Sequence, residues 1–392
     1  MSAEDRVTRL LLYSDRNGVF GAEQIDHRLI LACDQAGFEV GVAQPPGETV
    51  LTAERKSVGI PHYALPEENV YDWRHPAPSL TDPTAAERCL GEARPDLILF
   101  ADSFPLANLA AKEAARRRGI PYLVLVHCVQ PAWAEQYRAF VARLPAVYTA
   151  AAEVVAVSSD NLDGLRRYFG LPATRGRVIV NGRPRSFFAP PDAAVRRRVR
   201  AELGIPDDSV VALTIGRYEM VKGYDLLLDA MPIMRRSAQW DRLAFVWVGS
   251  GTLEERFRRL ARLVGGDRIR VLGERSDVAA LLDAADLLIH PARFEGMPLV
   301  VLEAMAKRLA VVASGIGGNV EALADAGVIL PASVDTVAFR TQLAAAVCAL
   351  TEDAERRRQL GTAAHARALT HFSEARMTAD HLDLIRSVLA PS

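Results

Sequence analysis

The chain contains little cysteine, and none of it is spaced for metal binding. Four cysteines are scattered through 392 residues, without a C-x-x-C pair or another zinc-ligand spacing. This scatter argues against a zinc site and against a disulfide framework. We therefore expect buried, reduced thiols, as is typical of a cytoplasmic protein, at Cys33, Cys89, Cys128 and Cys348.

Long apolar runs are also missing. No stretch approaches the roughly 18 consecutive apolar residues that a membrane span requires. The first residues, MSAEDRVTRLLLYSDRNG, include acidic side chains and an apolar run too brief for a signal peptide. The sequence thus predicts a cytoplasmic protein that does not span a membrane, and it leaves peripheral contact with a membrane surface open.

Neither sign of charge dominates the composition. Lysine and arginine total 47 against 48 acidic residues, so the formal net charge is -1 and the isoelectric point lies near 6.7. Such a chain has no overall field to hold nucleic acid, which we exclude as an expected partner. Half of the residues (50%) are apolar, and the length exceeds what one ordinary core occupies, so two domains are predicted.

Several catalytic motifs are absent as well. The chain has no Asp-x-Asp pair for a metal on a diphosphate, no G-x-S-x-G elbow, no Walker loop and no H-E-x-x-H helix. We therefore predict no metal site, and any anionic leaving group must be handled by cations and helix N-termini.

Short β-rich segments alternate with segments of helical period, which favours parallel sheets covered by helices. The series starts again after residue 205, and prolines and an Asn-Gly pair interrupt residues 181–198 between the two series. The predicted fold is α/β, with two doubly wound Rossmann-like domains facing a central cleft. Their predicted bounds are 1–185 and 186–370, with a helix over 371–392 that packs back on the first domain.

The segment RFEGMPLVVLEAMA, residues 293–306, contains two carboxylates eight positions apart. Pro298 suits the first turn of a helix, and Gly296 lets the preceding loop approach a ligand closely. The N–H groups of Met297, Leu299 and Val300 then form an anion site at the helix start. Isolated glutamates are usually surface charges, but the apolar residues around this helix argue against that reading here.

The two carboxylates of this segment have different expected partners. Glu303, about a turn and a half into the helix, can accept two hydroxyls from a vicinal diol such as ribose. Glu295, in the loop before the helix, can accept hydroxyls of a sugar nearer the reacting end.

Cations and glycines follow other predicted strands. Arg217 and Lys222 flank the turn in TIGRYEMVKG, where two cations suit a diphosphate, although such a pair is often merely solvated. His127 ends the strand YLVLVH, where a sugar contact and a structural role are equally open. Gly18 and Gly21 make a flexible strand-to-helix turn in the first domain.

The segment LAFVWVGSGTLEE begins like a dinucleotide-binding loop but does not complete the motif. Gly249 and Gly251 follow a strand, whereas Glu254 stands where the third glycine belongs. We expect a tight strand-to-helix turn there and no nicotinamide binding.

Together these segments resemble the family 4 retaining glycosyltransferases of the GT-B fold. The resemblance rests on PARFEGMPLVVLEAMA, GRYEMVKGYDLLLDAM, SGIGGNVEAL and VVAVSSDN with VIVNG, and it spans about residues 154–326. It implies a hexosyltransferase-type enzyme that moves a sugar from a nucleoside diphosphate to an acceptor hydroxyl with retention, without a cofactor or a metal. The acceptor, whether small molecule, glycan or lipid-linked, stays open, as do the sugar, the base and the oligomeric state.

The resemblance also implies roles for individual residues. The second domain holds the donor and the first holds the acceptor, with Gly18, Gly21 and His127 on the acceptor side. Four side chains form the expected catalytic set, namely Glu295, His127, Arg217 and Lys222. The expected donor-binding set consists of Arg217, Lys222, Gly273, Glu274, Glu295, Gly296, Met297, Pro298, Leu299 and Glu303, with the base read near residues 271–275 and the ribose held by Glu303.

The chain departs from the family pattern at three places. Arg308 and Ala310 replace a typical Gly and Pro, Phe20 precedes Gly21 where a glycine pair is common, and NGRP lacks the acidic residue usual after Asn-Gly. Two alternatives remain open at this point. One is a nucleotide-sugar 2-epimerase of the same fold, and the other is an inactive sugar-binding pseudoenzyme.

Overall fold

A computed structural model describes residues 7–66, 78–332 and 336–390. Contacts divide the chain into two units. Unit 1 comprises Met1–Asn181 with Ala375–Ser392, and unit 2 comprises Gly182–Glu374. Each unit has its own sheet and its own hydrophobic core.

Unit 1 is built on a seven-stranded parallel sheet with the order β3-β2-β1-β4-β5-β6-β7. Its inner strands are runs of Leu, Val, Ile and Phe that are buried on both faces, as parallel strands covered by helices require. The strands are β1 Arg9–Ser14, β2 Glu39–Gln44, β3 His62–Ala64, β4 Leu97–Asp102, β5 Tyr122–Val126, β6 Glu153–Ala156 and β7 Arg177–Val178.

Helices connect these strands, and one helix from the end of the chain joins them. The helices are α1 Gly21–Gln35, α2 Val50–Ser57, α3 Pro78–Thr81, α4 Thr84–Ala93, α5 Leu109–Arg117, α6 Pro131–Gln136, α7 Arg138–Val141, α8 Leu144–Ala150, α9 Ser159–Tyr168 and, from the C-terminal end, α18 Glu374–Leu389.

Unit 2 repeats the architecture with a six-stranded parallel sheet in the order β10-β9-β8-β11-β12-β13. Its strands are β8 Val210–Ile215, β9 Leu243–Val248, β10 Ile269–Val271, β11 Leu287–His290, β12 Ala310–Ser314 and β13 Val328–Leu330. Its helices are α10 Ala193–Glu202, α11 Tyr224–Met234, α12 Glu254–Gly265, α13 Val278–Ala284, α14 Leu299–Ala306, α15 Gly317–Leu323, α16 Thr336–Glu352 and α17 Ala354–His371.

In both sheets the strand order reverses next to the first strand. The chain winds outward from β8 to β9 and β10, and then from β11 to β12 and β13 on the other side. The loops after β8 and β11 therefore diverge at a topological switch point, which is where open α/β sheets bind ligands. In unit 1 the same point lies between β1 and β4.

The boundary between the units falls at 181/182 and 374/375, a few residues from the predicted 185/186 and 370/371. The physical reason is a backbone pairing inside unit 2. The Arg183 N–H donates to Phe372 O at 2.8 Å, and the Glu374 N–H donates to Arg183 O at 2.9 Å. These bonds join the segment around Arg183 to residues 372–374, so that both segments belong to the same unit.

The ends of two helices are set by residues with positive φ. Helix α5 begins only at Leu109, because Pro105 and the left-handed Asn108 (φ 57°) keep the preceding residues out of a helix. Helix α15 ends at Leu323, where Ala324 has φ 47°. Among the described residues, no helix is both long and apolar enough to cross a bilayer.

Candidate functional site

In unit 2 the loops after β8 and β11 bring Lys222 and Glu295 into contact. Lys222 Nζ donates to Glu295 Oε1, and both side chains are largely buried, with 19% and 14% of their surface exposed. His290, the last residue of β11, places its Nε2 3.2 Å from the same Oε1 atom. One carboxylate oxygen of Glu295 is thereby bonded to Lys222 and close to His290 at the switch point of the sheet.

The environment of Glu295 keeps its carboxylate ionised. Burial alone would raise the pKa of Glu295, but the charge of Lys222 and the contact with His290 outweigh burial and lower the pKa to about 2. Glu295 is therefore an anion throughout the neutral range. Its Oε1 atom is occupied by Lys222, so a ligand hydroxyl would approach through Oε2.

A glycine allows the loop that carries Lys222 to pass close to the loop that carries Glu295. Gly223 has φ 74°, and a Cβ atom built on it would lie 2.0 Å from Pro291 O. A side chain would therefore separate the two loops. Below this loop, Tyr224 donates its hydroxyl to Gly216 O at 3.0 Å, so the turn after β8 is bonded to the first residue of α11.

Arg293 also links the loop after β11 to the loop after β8. Its guanidinium donates to both carboxylate oxygens of Asp225, at 2.8 Å and 2.6 Å, and its backbone N–H donates to Val221 O at 2.8 Å. A two-pronged arginine–carboxylate pair fixes orientation as well as distance. Lys222 and Glu295 are thus positioned by a rigid support.

The start of α14 differs by one residue from the prediction. Pro298 is the residue before the helix, with φ -75° and ψ 116°, and Leu299 is the first helical residue. The N–H groups of Leu299 and Val300 have no acceptor within the helix, as the predicted anion site at this end would require. Gly318 packs against the preceding loop, because a Cβ atom there would lie 2.1 Å from Gly296 O.

Glu303, in the middle of α14, is 7% exposed and is paired with Arg183, which lies in the segment NGRP. Arg183 Nη2 lies 2.7 Å from Glu303 Oε1. Burial raises the pKa of Glu303 to about 6, although the Arg183 charge acts in the opposite direction. The two glutamates of one motif therefore have opposite pKa shifts.

The loop after β9 completes this edge of the sheet. Gly249 and Gly251 have φ of 152° and 157°, and a Cβ atom on either would collide with the backbone of Gly216 or of Tyr218. These glycines thus serve close packing of two loops, in agreement with the expected turn. The Gly249 N–H donates to Gly273 O at 3.2 Å, which brings residues 273–274 beside this loop.

The remaining members of the predicted donor set lie around these loops. The Ser250 hydroxyl donates to Glu274 Oε2 at 3.2 Å. Arg217 is exposed, and within the described part of the chain no acidic side chain pairs with it. Its guanidinium is available to a ligand at the carboxyl end of β8.

In unit 1 His127 is paired with a carboxylate that sequence analysis had missed. His127 Nε2 lies 2.9 Å from Asp26 Oδ1, and Asp26 is buried in α1. Burial alone would lower the pKa of His127, but Asp26 and the nearby Glu23 and Asp15 raise it above its ordinary value. A carboxylate of this kind orients the imidazole and favours its charged form.

The two predicted acceptor-side glycines lie at the start of α1, the helix that carries Asp26. Gly21 begins α1, and a Cβ atom on Gly18 would lie 3.0 Å from Glu23 Oε1, so the loop is packed against that side chain. A cavity opens beside the same loop at the switch point of this sheet, with Tyr13 and Asp15 in its wall.

Comparisons with known proteins agree for both units. Residues 195–367 match the family model described as Glycosyl transferases group 1, and residues 20–182 match Glycosyl transferase 4-like domain. An α-maltose-1-phosphate synthase of Mycobacterium tuberculosis is 30% identical over 301 residues, which cover 72% of this chain and 77% of the relative. The chain belongs to the family 4 glycosyltransferases of the GT-B fold.

Two further matches agree with this result, one in sequence and one in fold. The Mycolicibacterium smegmatis α-maltose-1-phosphate synthase is 29% identical over 340 residues, covering 81% of this chain and 87% of the relative. The structure of Anabaena HepE in complex with UDP and glucose superimposes with a TM-score of 0.80 at 19% identity, covering 97% of this chain and all (100%) of the other. The protein is therefore a glycosyltransferase.

Several supporting residues of this glycosyltransferase were not found from the sequence. Arg293 and His290 flank the glutamate motif, and their position beside Glu295 was a usable signal. Asp26 and Asp225 gave none, because each lies in an ordinary amphipathic helix. No group of three or more metal-ligating side chains is arranged to hold an ion within residues 7–66, 78–332 and 336–390.

Proposed function

We propose that this glycosyltransferase moves a hexose from a nucleoside diphosphate to an acceptor hydroxyl, with retention at the anomeric carbon and without a metal ion. The observation that carries the proposal is the contact of Lys222 with Glu295 at the switch point of unit 2, beside the start of α14. A cation, a carboxylate and a helix N-terminus lie together there, which supports binding of a diphosphate and its sugar.

The proposed catalysis consists mainly of charge stabilisation. As the glycosidic bond breaks, negative charge grows on the diphosphate. Lys222, Arg217 and the N–H groups at the start of α14 stabilise this charge. Groups that are already fixed stabilise this state more than the ground state, because they need no reorganisation. We assign no protein general base, since the leaving phosphate takes the acceptor proton on the same face.

Glu295 has a positioning role toward the donor sugar in this proposal. Its Oε1 atom is held by Lys222, and its Oε2 atom accepts sugar hydroxyls. A cation that contacts both the diphosphate and Glu295 links the leaving group to the sugar. The anomeric carbon is then aligned by the same pair that stabilises the leaving charge.

For the acceptor we propose unit 1. His127, held by Asp26, would contact a sugar hydroxyl, and the loop with Gly18 and Gly21 would border the acceptor. A glycosyltransferase is favoured over a 2-epimerase by the E-x7-E motif, and over a pseudoenzyme because Arg217, Lys222 and both glutamates are present.

A thermal-shift screen tests the donor proposal. UDP, GDP, ADP and dTDP, with their sugars, are added in turn, since a ligand at a hundred times its dissociation constant adds roughly 2.7 kcal/mol of stability. Nucleotide release is then measured with and without candidate acceptors. Release that depends on an acceptor supports transfer, release without any acceptor indicates the epimerase, and binding without release indicates the pseudoenzyme.

We expect the affinity for the nucleotide sugar selected by this screen to fall as the pH falls through about 6. The pKa of Glu303 is raised to about 6, so below that pH the carboxylate that accepts the ribose hydroxyls becomes protonated. Glu295, with a pKa of about 2, does not titrate in this range. Calorimetry between pH 8 and pH 5 should show that the affinity falls by up to about tenfold.

The control for this pH dependence is Glu303→Gln, which removes the titrating group and should give a weaker but flat affinity profile. An intact nucleotide sugar is the right probe, because its diphosphate has no group that titrates near pH 6. An equal slope in the wild-type protein and in Glu303→Gln would assign the pH dependence to another group.

Removal of divalent metal is expected to leave activity largely in place. The motivation is the absence of an Asp-x-Asp pair together with two cations where a metal would otherwise neutralise the diphosphate. Turnover is measured with EDTA and after dialysis. Abolished activity that returns with magnesium or manganese would show that the proposed metal independence is wrong.

A further inference from the structure

Arg183 is a buried cation beside the predicted ribose carboxylate. It is 6% exposed, its Nη2 atom lies 2.7 Å from Glu303 Oε1, and its guanidinium stacks on the Phe187 ring at 4.7 Å from the centroid. Among the described residues its Nε–H has no hydrogen-bond partner. A buried arginine with one carboxylate contact and an unpaired N–H is an incompletely satisfied group, and such groups occur where a ligand or water completes the site.

The backbone of Arg183 is fixed from both sides. Its N–H and its carbonyl are both bonded to residues 372–374, and a Cβ atom on the preceding Gly182 would lie 2.4 Å from Ser373 O. The segment therefore has no freedom to withdraw the side chain by moving the backbone. The place from which the guanidinium reaches Glu303 is set by the fold of unit 2.

A buried carboxylate such as Glu303 is unfavourable unless a cation or hydrogen bonds compensate its charge. Arg183 is the charged group whose field opposes the effect of burial on Glu303. Without it, burial would raise the pKa of Glu303 further, and a protonated acid presents one fewer acceptor to a diol.

We propose that Arg183 is a positioning residue of the nucleotide site, which keeps Glu303 ionised and oriented so that it accepts the ribose hydroxyls. This inference rests on the proposed ribose-binding role of Glu303. It predicts that Arg183 increases the preference of the protein for a nucleotide with ribose hydroxyls over one without them. An effect on stability alone would leave this preference unchanged.

The test compares two ligands that differ only in the ribose hydroxyls. The full-length protein is titrated calorimetrically with UDP and with 2′,3′-dideoxyuridine diphosphate, and the adenosine pair is run in parallel. We expect Arg183→Met to reduce the preference for the ribonucleotide by about tenfold or more, the size of a lost charge-assisted bond. Arg183→Lys, which keeps the charge, should retain part of the preference.

Two further variants separate this role from a general effect on folding. Arg183→Gln keeps donors without charge and gives a readout if Arg183→Met does not fold. Arg200→Met removes another buried guanidinium, which pairs with Asp286 at 2.6 Å before β11, at the amino edge of the sheet. It should lower the melting temperature and leave the ribose preference unchanged.

The outcomes distinguish this inference from the proposed function. If Glu303→Gln lowers the ribose preference but folded Arg183→Met and Arg183→Gln do not, the role of Arg183 is wrong and that of Glu303 stands. If Glu303→Gln also leaves the preference unchanged, the proposed ribose role of Glu303 is wrong, and if no nucleotide binds, the donor assignment itself is wrong.

Discussion

Replacement of Glu295 by alanine is expected to lower turnover by about a hundredfold while the affinity for free nucleoside diphosphate is kept, because misplacement of the reacting carbon by about 1 Å has that effect. The ion pair between Glu295 and Lys222 also predicts the direction of the change in nucleotide affinity. Glu295 neutralises Lys222, so its removal leaves the cation fully available to phosphate. Binding of the free nucleotide should therefore be unchanged or tighter.

Glu303→Ala is the matched variant within the same motif. It should weaken the binding of the free nucleotide and of the intact donor by similar factors, since both ligands contain the ribose. Glu295→Gln, which preserves size, shows whether the charge of Glu295 is required. Calorimetry and steady-state turnover on each variant separate affinity from catalysis. The assignment of the two glutamates is wrong if Glu295→Ala binds nucleotide as poorly as Glu303→Ala, or if neither variant changes turnover.

The second large effect is expected on replacement of Lys222 or Arg217, and the surroundings of the two cations predict which replacement has the larger effect. Lys222→Met should lower kcat/KM for the donor by about a hundredfold, because it removes a charge-assisted bond to phosphate and leaves Glu295 buried without its counterion. Arg217→Ala should lower it by only about tenfold, since an exposed arginine loses more of its interaction to solvent.

Kinetics and melting temperatures of both variants check this ranking. Arg235→Ala, an exposed arginine at the end of α11 and away from the carboxyl edge of the sheet, is the control and should change neither quantity appreciably. Unchanged turnover in both Lys222→Met and Arg217→Ala would contradict the diphosphate assignment. A larger effect at Arg217 would show that the ion pair with Glu295 is not the central contact.

Some features follow from short stretches of sequence alone. The alternation of buried strands with helical periods predicted two parallel-sheet units, because each period depends on residues within one element. The loop before α14 and the turn after β8 were also predictable, since their glycines and charges stand at fixed offsets from a strand end.

Other features were decided by the tertiary structure, because they join residues that are distant in the chain. Lys222 and Glu295 are 73 positions apart, and His127 and Asp26 are 101 apart. Whether such side chains meet depends on which strands are neighbours in the sheet, and no local pattern encodes that order. The sequence by itself determined the fold class and identified the side chains for which we propose the chemistry. Only the packing of the strands decided the opposite surroundings of Glu295 and Glu303, because burial and neighbouring charge set a carboxylate's pKa.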